Sequence, residues 1–299
     1  MNAKPWCIIV NLSTCPVEEW EVWRAILDKH KIPFSAHLTV SIDQVYRILS
    51  RLLLTGHQQF LFAGGDGTIH HGGNILLKLA GDKSSGLTIG VLPCGTGNDW
   101  FRTFGVAEDK LVTSLKEGTT VPMNVVRITW PDGREHYAMN MVGGALDAAV
   151  VDSLLKSPMK FYGSLKYPIA LIKTLLKSRK WNAEILVDEI SYSGSWLTIE
   201  AGFGKYCGGG MYVLPHAESD RAALLLMKPK SLLSHVLSIF KLYNGKIAKQ
   251  KEAIALHFST IKINHSGNPI PLEADGEWLG TSPVSLEACY GIINRVTGV

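Results

Sequence analysis

Cysteine is scarce in this 299-residue chain. There are five, Cys7, Cys15, Cys94, Cys207 and Cys289, an odd number with no CxxC pair. That argues against a disulfide framework and against a zinc finger, and it suits a reducing, cytoplasmic compartment. Long apolar runs are also missing. The most apolar helical stretch, Pro168 to Leu176, is broken by Lys173 and falls short of the ~18 residues a spanning helix needs. The short apolar run at the N-terminus is too brief for a signal-peptide core and reads better as a strand. Glycine (29) and proline (13) show no collagen-like period, and 46% apolar residues argue against disorder. No internal repeat or low-complexity linker occurs, and no RNA- or DNA-binding motif, so no nucleic-acid partner is expected. The net charge of +4 looks unremarkable.

Residues 6–10, 34–40, 59–63 and 87–92 read as strands, with helices over 17–30, 43–54 and up to about Ala80 between them. That alternation predicts a parallel α/β sheet in a first domain, residues 1–121. From about residue 120 strand-like runs dominate: 123–130, 135–142, 183–189, 195–203, 211–214, 222–227, 254–264, 269–273 and 282–290. Two helical segments, about 160–178 and 231–243, interrupt them. The expectation is a mainly antiparallel β-sandwich over 122–299, with the last residues able to return to the first domain.

Two glycine loops stand out. Gly64-Gly65-Asp66-Gly67-Thr68 lies between a predicted strand and a predicted helix. Glycines there permit a tight turn and bare N–H groups, and the helix start adds partial positive charge, a setting suited to phosphate. Asp66 is out of place beside a phosphate unless a divalent cation sits between them. The second loop, Pro93-Cys94-Gly95-Thr96-Gly97-Asn98-Asp99, also follows a strand. Two such loops at adjacent carboxyl ends of a parallel sheet would share one crevice, where α/β folds bind ligands. Neither loop is a Walker motif or GxGxxG.

GGDGT at 64–68 followed by PCGTGNDWFR at 93–102 resembles the diacylglycerol-kinase catalytic family, which includes bacterial soluble lipid kinases, sphingosine kinases and ceramide kinases. That family shares a superfamily with NAD kinases. The resemblance extends through NMVGGALDA at 140–148, CGGGMYVLPHA at 207–217 and Asp275-Gly276-Glu277. It implies an NAD-kinase/diacylglycerol-kinase-like fold and an ATP- and Mg²⁺-dependent lipid kinase acting on a diacylglycerol-like or sphingoid hydroxyl. By the same resemblance Gly64, Gly65, Asp66, Gly67, Thr68, Gly95, Thr96, Asn98, Asp99 and Thr39 are nucleotide contacts. Asn11 matches the Asn of the family's first loop, although the residues after it, NLSTCP, depart from the usual pattern. Asp66 and Asp220 are implied metal residues. Asp275 and Glu277 are the acid–base pair, with the choice between them open; without the other motifs, Asp-Gly-Glu would be an ordinary hairpin turn. An NAD kinase and a non-catalytic lipid- or nucleotide-binding relative are the alternatives.

Two departures bear on the last alternative. His71 stands where the family has Glu, and Arg221 follows Asp220 where Gly is usual. His70 and His71 point about 100° apart on a helix and do not suit one metal.

Charge is distributed unevenly. Ser153–Ala183 and Arg221–Lys251 each hold seven basic residues and no acid, which leaves 16 basic and 26 acidic residues elsewhere. Lysines interleaved with Leu, Ile, Phe and Tyr suit a peripheral contact with an anionic membrane surface, where the lipid substrate resides. A homodimer through an exposed sheet edge is a further expectation.

Overall fold

The computed structural model describes residues 5–95, 97–156, 166–177 and 180–297. The chain divides into two compact units, Met1–Asn124 with Tyr290–Val299, and Val125–Cys289.

The first unit is built on parallel strands β1 (Trp6–Asn11), β2 (Phe34–Thr39), β3 (Gln59–Gly64) and β4 (Thr88–Pro93) in the order β2-β1-β3-β4. Ile8, Ile9, Phe60, Leu61 and Phe62 are fully enclosed, as expected of central parallel strands covered on both faces. Helices α1 (Val17–Lys29), α2 (Ile42–Leu54) and α3 (Asp66–Ala80) connect the strands; α4 (Asp99–Phe104) and α5 (Glu108–Glu117) follow β4. Ser41 starts α2 by accepting the Gln44 N–H (3.4 Å), and Val45, Leu49 and Leu52 bury one stripe of it. The strand order switches direction at β1 and β3, so the loops leaving β1, β3 and β4 meet at the carboxyl edge of the sheet.

The second unit holds two antiparallel sheets. Here β5 (Thr120–Thr129), which begins in the first unit, pairs with β6 (Glu135–Ala138). Strand β7 (Met141–Ala145) runs into α6 (Leu146–Lys156), and α7 (Lys166–Lys177) follows. Next come β8 (Trp181–Val187), β9 (Ile190–Trp196), β10 (Thr198–Gly202), the short pair β11 (Tyr206–Cys207) and β12 (Met211–Tyr212), and β13 (Ala223–Met227). The chain continues through α8 (Leu232–Leu242), β14 (Ala253–His257), β15 (Thr260–His265), β16 (Pro271–Ala274), β17 (Glu277–Thr281) and β18 (Val284–Val296). One sheet runs β14-β13-β10-β7-β16-β17; in the other, β8 lies between β9 and β15, and β15 pairs with the start of β18. The end of β18 belongs to the first unit, where Asn294 and Arg295 pair in parallel with Thr88 and Ile89.

The α/β first unit and the antiparallel β-sandwich second unit agree with the sequence reading of the fold. Several details differ. The runs 195–203 and 254–264 each contain two strands, because the chain crosses from one sheet to the other at Leu197 and after His257. Helix α6 has no amphipathic signature because Leu146, Ala148, Val150 and Val151 are all buried. The final strand extends to Val296. Cys15 and Cys94, 79 residues apart, are joined in a disulfide with their Cα atoms 4.8 Å apart. Spacing alone does not reveal a pair brought together by two separate loops of a parallel sheet. Of the expected helix at 160–178, residues 166–177 are observed, and the remainder, 160–165 and 178, lies outside the described residues.

Candidate active site

Glycine packing sets the geometry of the loops in the first unit. The main chains of Gly65 and Gly95 touch: a Cβ added to Gly95 would lie 2.5 Å from the Gly65 Cα. Gly64 is overlain by the Thr68 side chain, and a Cβ there would strike Thr68 Oγ1. Cys94 N–H donates to the Gly64 carbonyl (3.1 Å), extending the β3–β4 pairing into the loops. Helix α3 starts at Asp66 after Gly65, and no side chain caps it. Its first turn therefore presents main-chain N–H groups and the positive end of the helix dipole, with the Asp66 carboxylate at its first position. Thr68 sits 7% exposed. Its Oγ1 accepts from Asn11 Nδ2 (3.0 Å) and lies 3.3 Å from Thr14 Oγ1, so the loop after β1 is tied to the first turn of α3.

Asp66 Oδ1 accepts the Trp100 N–H at 2.8 Å and so caps α4 from the neighbouring loop. Asn98 adopts a left-handed conformation (φ 52°), which Asn tolerates better than most residues. Its amide spans the loop: Oδ1 accepts from Gly95 N–H (3.1 Å) and Nδ2 donates to the Gly95 carbonyl (2.6 Å). Asp99 is buried at the start of α4, with Arg102 Nε 3.7 Å from its Oδ1; the same Nε donates to the Gly97 carbonyl (3.1 Å). Thr39 is buried and its hydroxyl donates to the Val10 carbonyl (3.0 Å). It shapes the end of β2, and that proton is committed to the main chain. The His70 and His71 rings stand edge to face, 5.2 Å apart, with His70 fully buried. Thr96 lies outside the described residues.

In the second unit Asp275 and Gly276 form the two-residue turn between β16 and β17, both with positive φ (54° and 89°), the Asp-Gly signature of a tight hairpin. Thus Glu277 is the first residue of β17, a strand that the sequence reading places inside a longer connection. The Asp275 carboxylate accepts three main-chain N–H groups, from Met139 (2.8 Å), Asn140 (2.9 Å) and Met141 (3.0 Å). It pins the start of β7. Glu277 is half-buried beside this turn. Asp220 is exposed at the tip of the Glu218–Arg221 turn. An apolar pocket of about 690 Å³, counting the open solvent at its mouth, lies between α6, α7, α8 and strands β10 and β13, with Leu171, Leu175, Leu197, Leu225 and Met227 among its walls.

The model of the diacylglycerol kinase catalytic domain matches residues 5–128, and that of the YegS C-terminal NAD kinase beta sandwich-like domain matches residues 140–296. A protein named "Probable lipid kinase YegS-like" from Yersinia pestis (strain Pestoides F) is 30% identical over 219 residues, 72% of this chain and 70% of its own. The chain belongs to the YegS-like lipid kinase family. A Xanthomonas euvesicatoria member of the same name is 24% identical over 282 residues, 93% of this chain and 91% of that one. The crystal structure of a diacylglycerol kinase from Bacillus anthracis superposes with a TM-score of 0.72 at 17% identity, covering 99% of this chain and 98% of that one, which shows a shared fold.

Within this lipid kinase the structure joins Asn11, Gly64, Gly65, Asp66, Thr68, Gly95, Asn98 and Asp99 into one interlocked group of loops. Sequence reading missed Asp147, Glu200 and Glu273, which are buried in the second unit. The signal was there: one acid inside each of two otherwise apolar strands, TIEAG and PLEA.

Proposed function

We propose that this chain transfers the γ-phosphate of ATP, with Mg²⁺, to a hydroxyl of a diacylglycerol-like or sphingoid lipid at an anionic membrane surface. The observation that supports it most is the uncapped start of α3 held against the Gly65–Gly95 contact, a cradle in which a phosphate takes the place of a capping side chain. Asp66 adds a hard oxygen donor at that cradle, and this donor set fits Mg²⁺. Mg-ATP, when bound, supplies the phosphoryl group and a cation that offsets its charge.

The chain's own residues do the rest. Main-chain N–H groups of the Gly65 and Gly95 loops hold phosphate oxygens, and Thr68, oriented by Asn11, contributes its hydroxyl. Of the pair in the Asp-Gly-Glu turn, Glu277 is assigned the proton of the attacking hydroxyl, because the Asp275 carboxylate is occupied by three main-chain donors. Asp275 is a positioning residue that keeps the hairpin fixed on β7. The apolar cavity takes aliphatic chain.

Membrane contact is assigned to the side where α7 and α8 pack together, which places parts of both acid-free windows side by side. In the second window Lys230, Lys241, Lys246, Lys249 and Lys251 line one depression together with Gln250 and Glu252, and Phe240 and Tyr243 of the same stretch are 80% and 45% exposed. Among the described residues no helix is long and apolar enough to cross a membrane. Titration calorimetry with Mg-ATP tests the reading: Asp66→Ala is expected to weaken binding, and affinity equal to wild type would remove Asp66 from the site.

A further inference from the structure

Cys15 follows β1 and Cys94 follows β4, and in the sheet order β2-β1-β3-β4 those two strands are not neighbours. Strands two places apart lie roughly 10 Å from each other. The two cysteine Cα atoms are nevertheless 4.8 Å apart and joined through their sulfurs. The loops therefore converge over the carboxyl end of β3, where Gly64 opens the glycine loop, and the bond is a strap across that end. Its anchors adjoin the residues that grip the phosphate cradle. One residue before Cys15, Thr14 Oγ1 lies 3.3 Å from Thr68 Oγ1 and would be 3.0 Å from a Cβ on Gly64. One residue after Cys94, Gly95 rests on the Gly65 main chain. The Cys15 N–H donates to the Asn11 carbonyl (2.7 Å), and Asn11 Nδ2 donates to Thr68 Oγ1 (3.0 Å). The strap thus acts from both sides on the groups assigned to phosphate.

A bond placed there is not what holds the sheet together. The β1–β3 and β3–β4 ladders and the Cys94 N–H to the Gly64 carbonyl (3.1 Å) position the strand ends without it. Cys15 is enclosed in the core with Trp20, Leu27 and Leu92, and Cys94 packs against the same cluster, so two separated thiols keep apolar surroundings. What reduction removes is the restriction on the loops. Nor is the chain built on a disulfide framework, since Cys7, Cys207 and Cys289 form no disulfide. The two bonded sulfurs differ in access. Cys15 is 0% exposed and Cys94 is half-buried, so an external thiol meets Cys94 first. Cys7, the other thiol of this unit, is buried on β1 and its Sγ accepts from the Ser35 hydroxyl (3.7 Å).

We propose that the Cys15–Cys94 pair is a redox switch on nucleotide affinity: the closed bond holds the phosphate cradle in shape, and its reduction loosens the cradle and weakens Mg-ATP binding. This inference rests on the lipid-kinase reading and adds the regulation of its nucleotide site. The co-reactant is a dithiol. One of its thiolates attacks Cys94 Sγ, which breaks the Cys15–Cys94 bond, forms a mixed disulfide and releases the Cys15 sulfur to take up a proton. The second sulfur of the dithiol, giving up its proton, then attacks the first. That step leaves Cys94 as a thiol and the dithiol as a cyclic disulfide. Two electrons and two protons pass to the pair, and an oxidised dithiol reverses the exchange. The gain from the closed bond is preorganisation, because open loops must be ordered when nucleotide binds and strapped loops are ordered already.

The test is calorimetric titration of the full-length protein with Mg-ATP in its oxidised and dithiol-reduced states, with the state of Cys15 and Cys94 verified by mass spectrometry. A zinc-selective chelator is kept present, because Cys15, Glu19 and Cys94 carry ligand atoms within 4.8 Å of one another and a cation held there would replace the strap. The expected result is about 10-fold weaker binding on reduction, the cost of ordering one further residue's main chain. Linkage supplies a second measurement that needs no variant: saturating Mg-ATP should raise the ratio of dithiol to disulfide that opens the bond by the same factor. Cys94→Ser should bind like the reduced chain and ignore dithiol. Equal affinity in the two states, tighter binding by the reduced chain, or a bond whose opening Mg-ATP does not affect overturns the switch. So does a pair that stays open under a disulfide oxidant. Equal, measurable affinity in both states leaves the kinase reading standing, and no Mg-ATP binding in either state overturns both. Affinity that follows the bond with no phosphate transfer to any lipid supports the switch and sinks the kinase reading.

Discussion

Gly95→Ala tests the loop geometry on which the nucleotide site depends. The added Cβ would lie 2.5 Å from Gly65 Cα, 2.8 Å from Asn98 Oδ1 and 3.2 Å from Gly65 N. Two of those atoms are main chain and cannot rotate away. Restoring an ordinary carbon contact of ~3.5–4.0 Å requires the two loops to part by about 1 Å. Overpacking of this kind costs ~1–3 kcal/mol, which lowers the melting temperature by about 2–10 °C for a protein of this size. A displacement of ~1 Å in a positioning element also costs ~10²-fold in function, so Mg-ATP affinity should fall by about that factor. Gly65→Ala is the internal control. Its Cβ meets Gly95 Cα at 3.2 Å and Gly95 N at 3.9 Å, a clash relieved by a few tenths of an ångström. Urea denaturation and calorimetric titration of both variants should therefore rank Gly95→Ala as the more damaging. Wild-type stability and affinity in Gly95→Ala, or a reversed ranking, would refute the reasoning.

Four further outcomes are expected. Glu277→Gln should lower turnover by ~10²–10⁴-fold with Mg-ATP affinity kept, while Asp275→Asn should destabilise the chain by about 2 kcal/mol or more through the lost charged acceptor for three N–H groups; thermal melts and a transfer assay separate the two. Burial, and then the neighbouring Asp147 charge, make Glu200 and Glu273 bind protons more tightly in the folded chain than at their ordinary value of 4.5. Stability should be fullest below that value and fall as pH rises through it towards the raised folded values, by up to about 1.4 kcal/mol per unit for each glutamate; urea midpoints at several pH values should show a shallower fall in Glu200→Gln. Reducing the Cys15–Cys94 bond should cost up to about 4.5 kcal/mol in the chain-entropy account, and an unchanged denaturation midpoint with reductant would contradict the clasp. Charge reversal at Lys241, Lys246 and Lys249 should weaken binding to anionic vesicles by ~10²-fold, at roughly 1 kcal/mol per lysine, and leave neutral vesicles unaffected; equal binding to both vesicle types would remove the basic depression from the membrane account.

The first unit was largely legible in the sequence because its signals are local. Apolar strand runs end in glycine, and helices begin where Ser41 or Gly65 says they should. The loops were legible for the same reason. What the sequence did not show was why Asp66 and Asn98 are there. Asp66 caps a helix on a neighbouring loop, and Asn98 closes its own turn in a left-handed conformation. The second unit was less legible. Strand crossings between sheets at Leu197 and after His257 involve no glycine or proline, and α6 is buried on too many sides to show a period. The acidic row was hidden because Glu200, Gly143 and Glu273 are far apart in sequence and become neighbours only through register. The bland net charge concealed an uneven distribution along the chain, and α7 and α8, one from each acid-free window, pack against each other.

The central claim is tested most directly by following labelled γ-phosphate from ATP in the presence of Mg²⁺, mixed micelles of diacylglycerol and long-chain aminodiol, and NAD. The account predicts label in a phosphorylated lipid, and its loss in Glu277→Gln. Label recovered in NADP, or no lipid labelled although Mg-ATP binds, would contradict it.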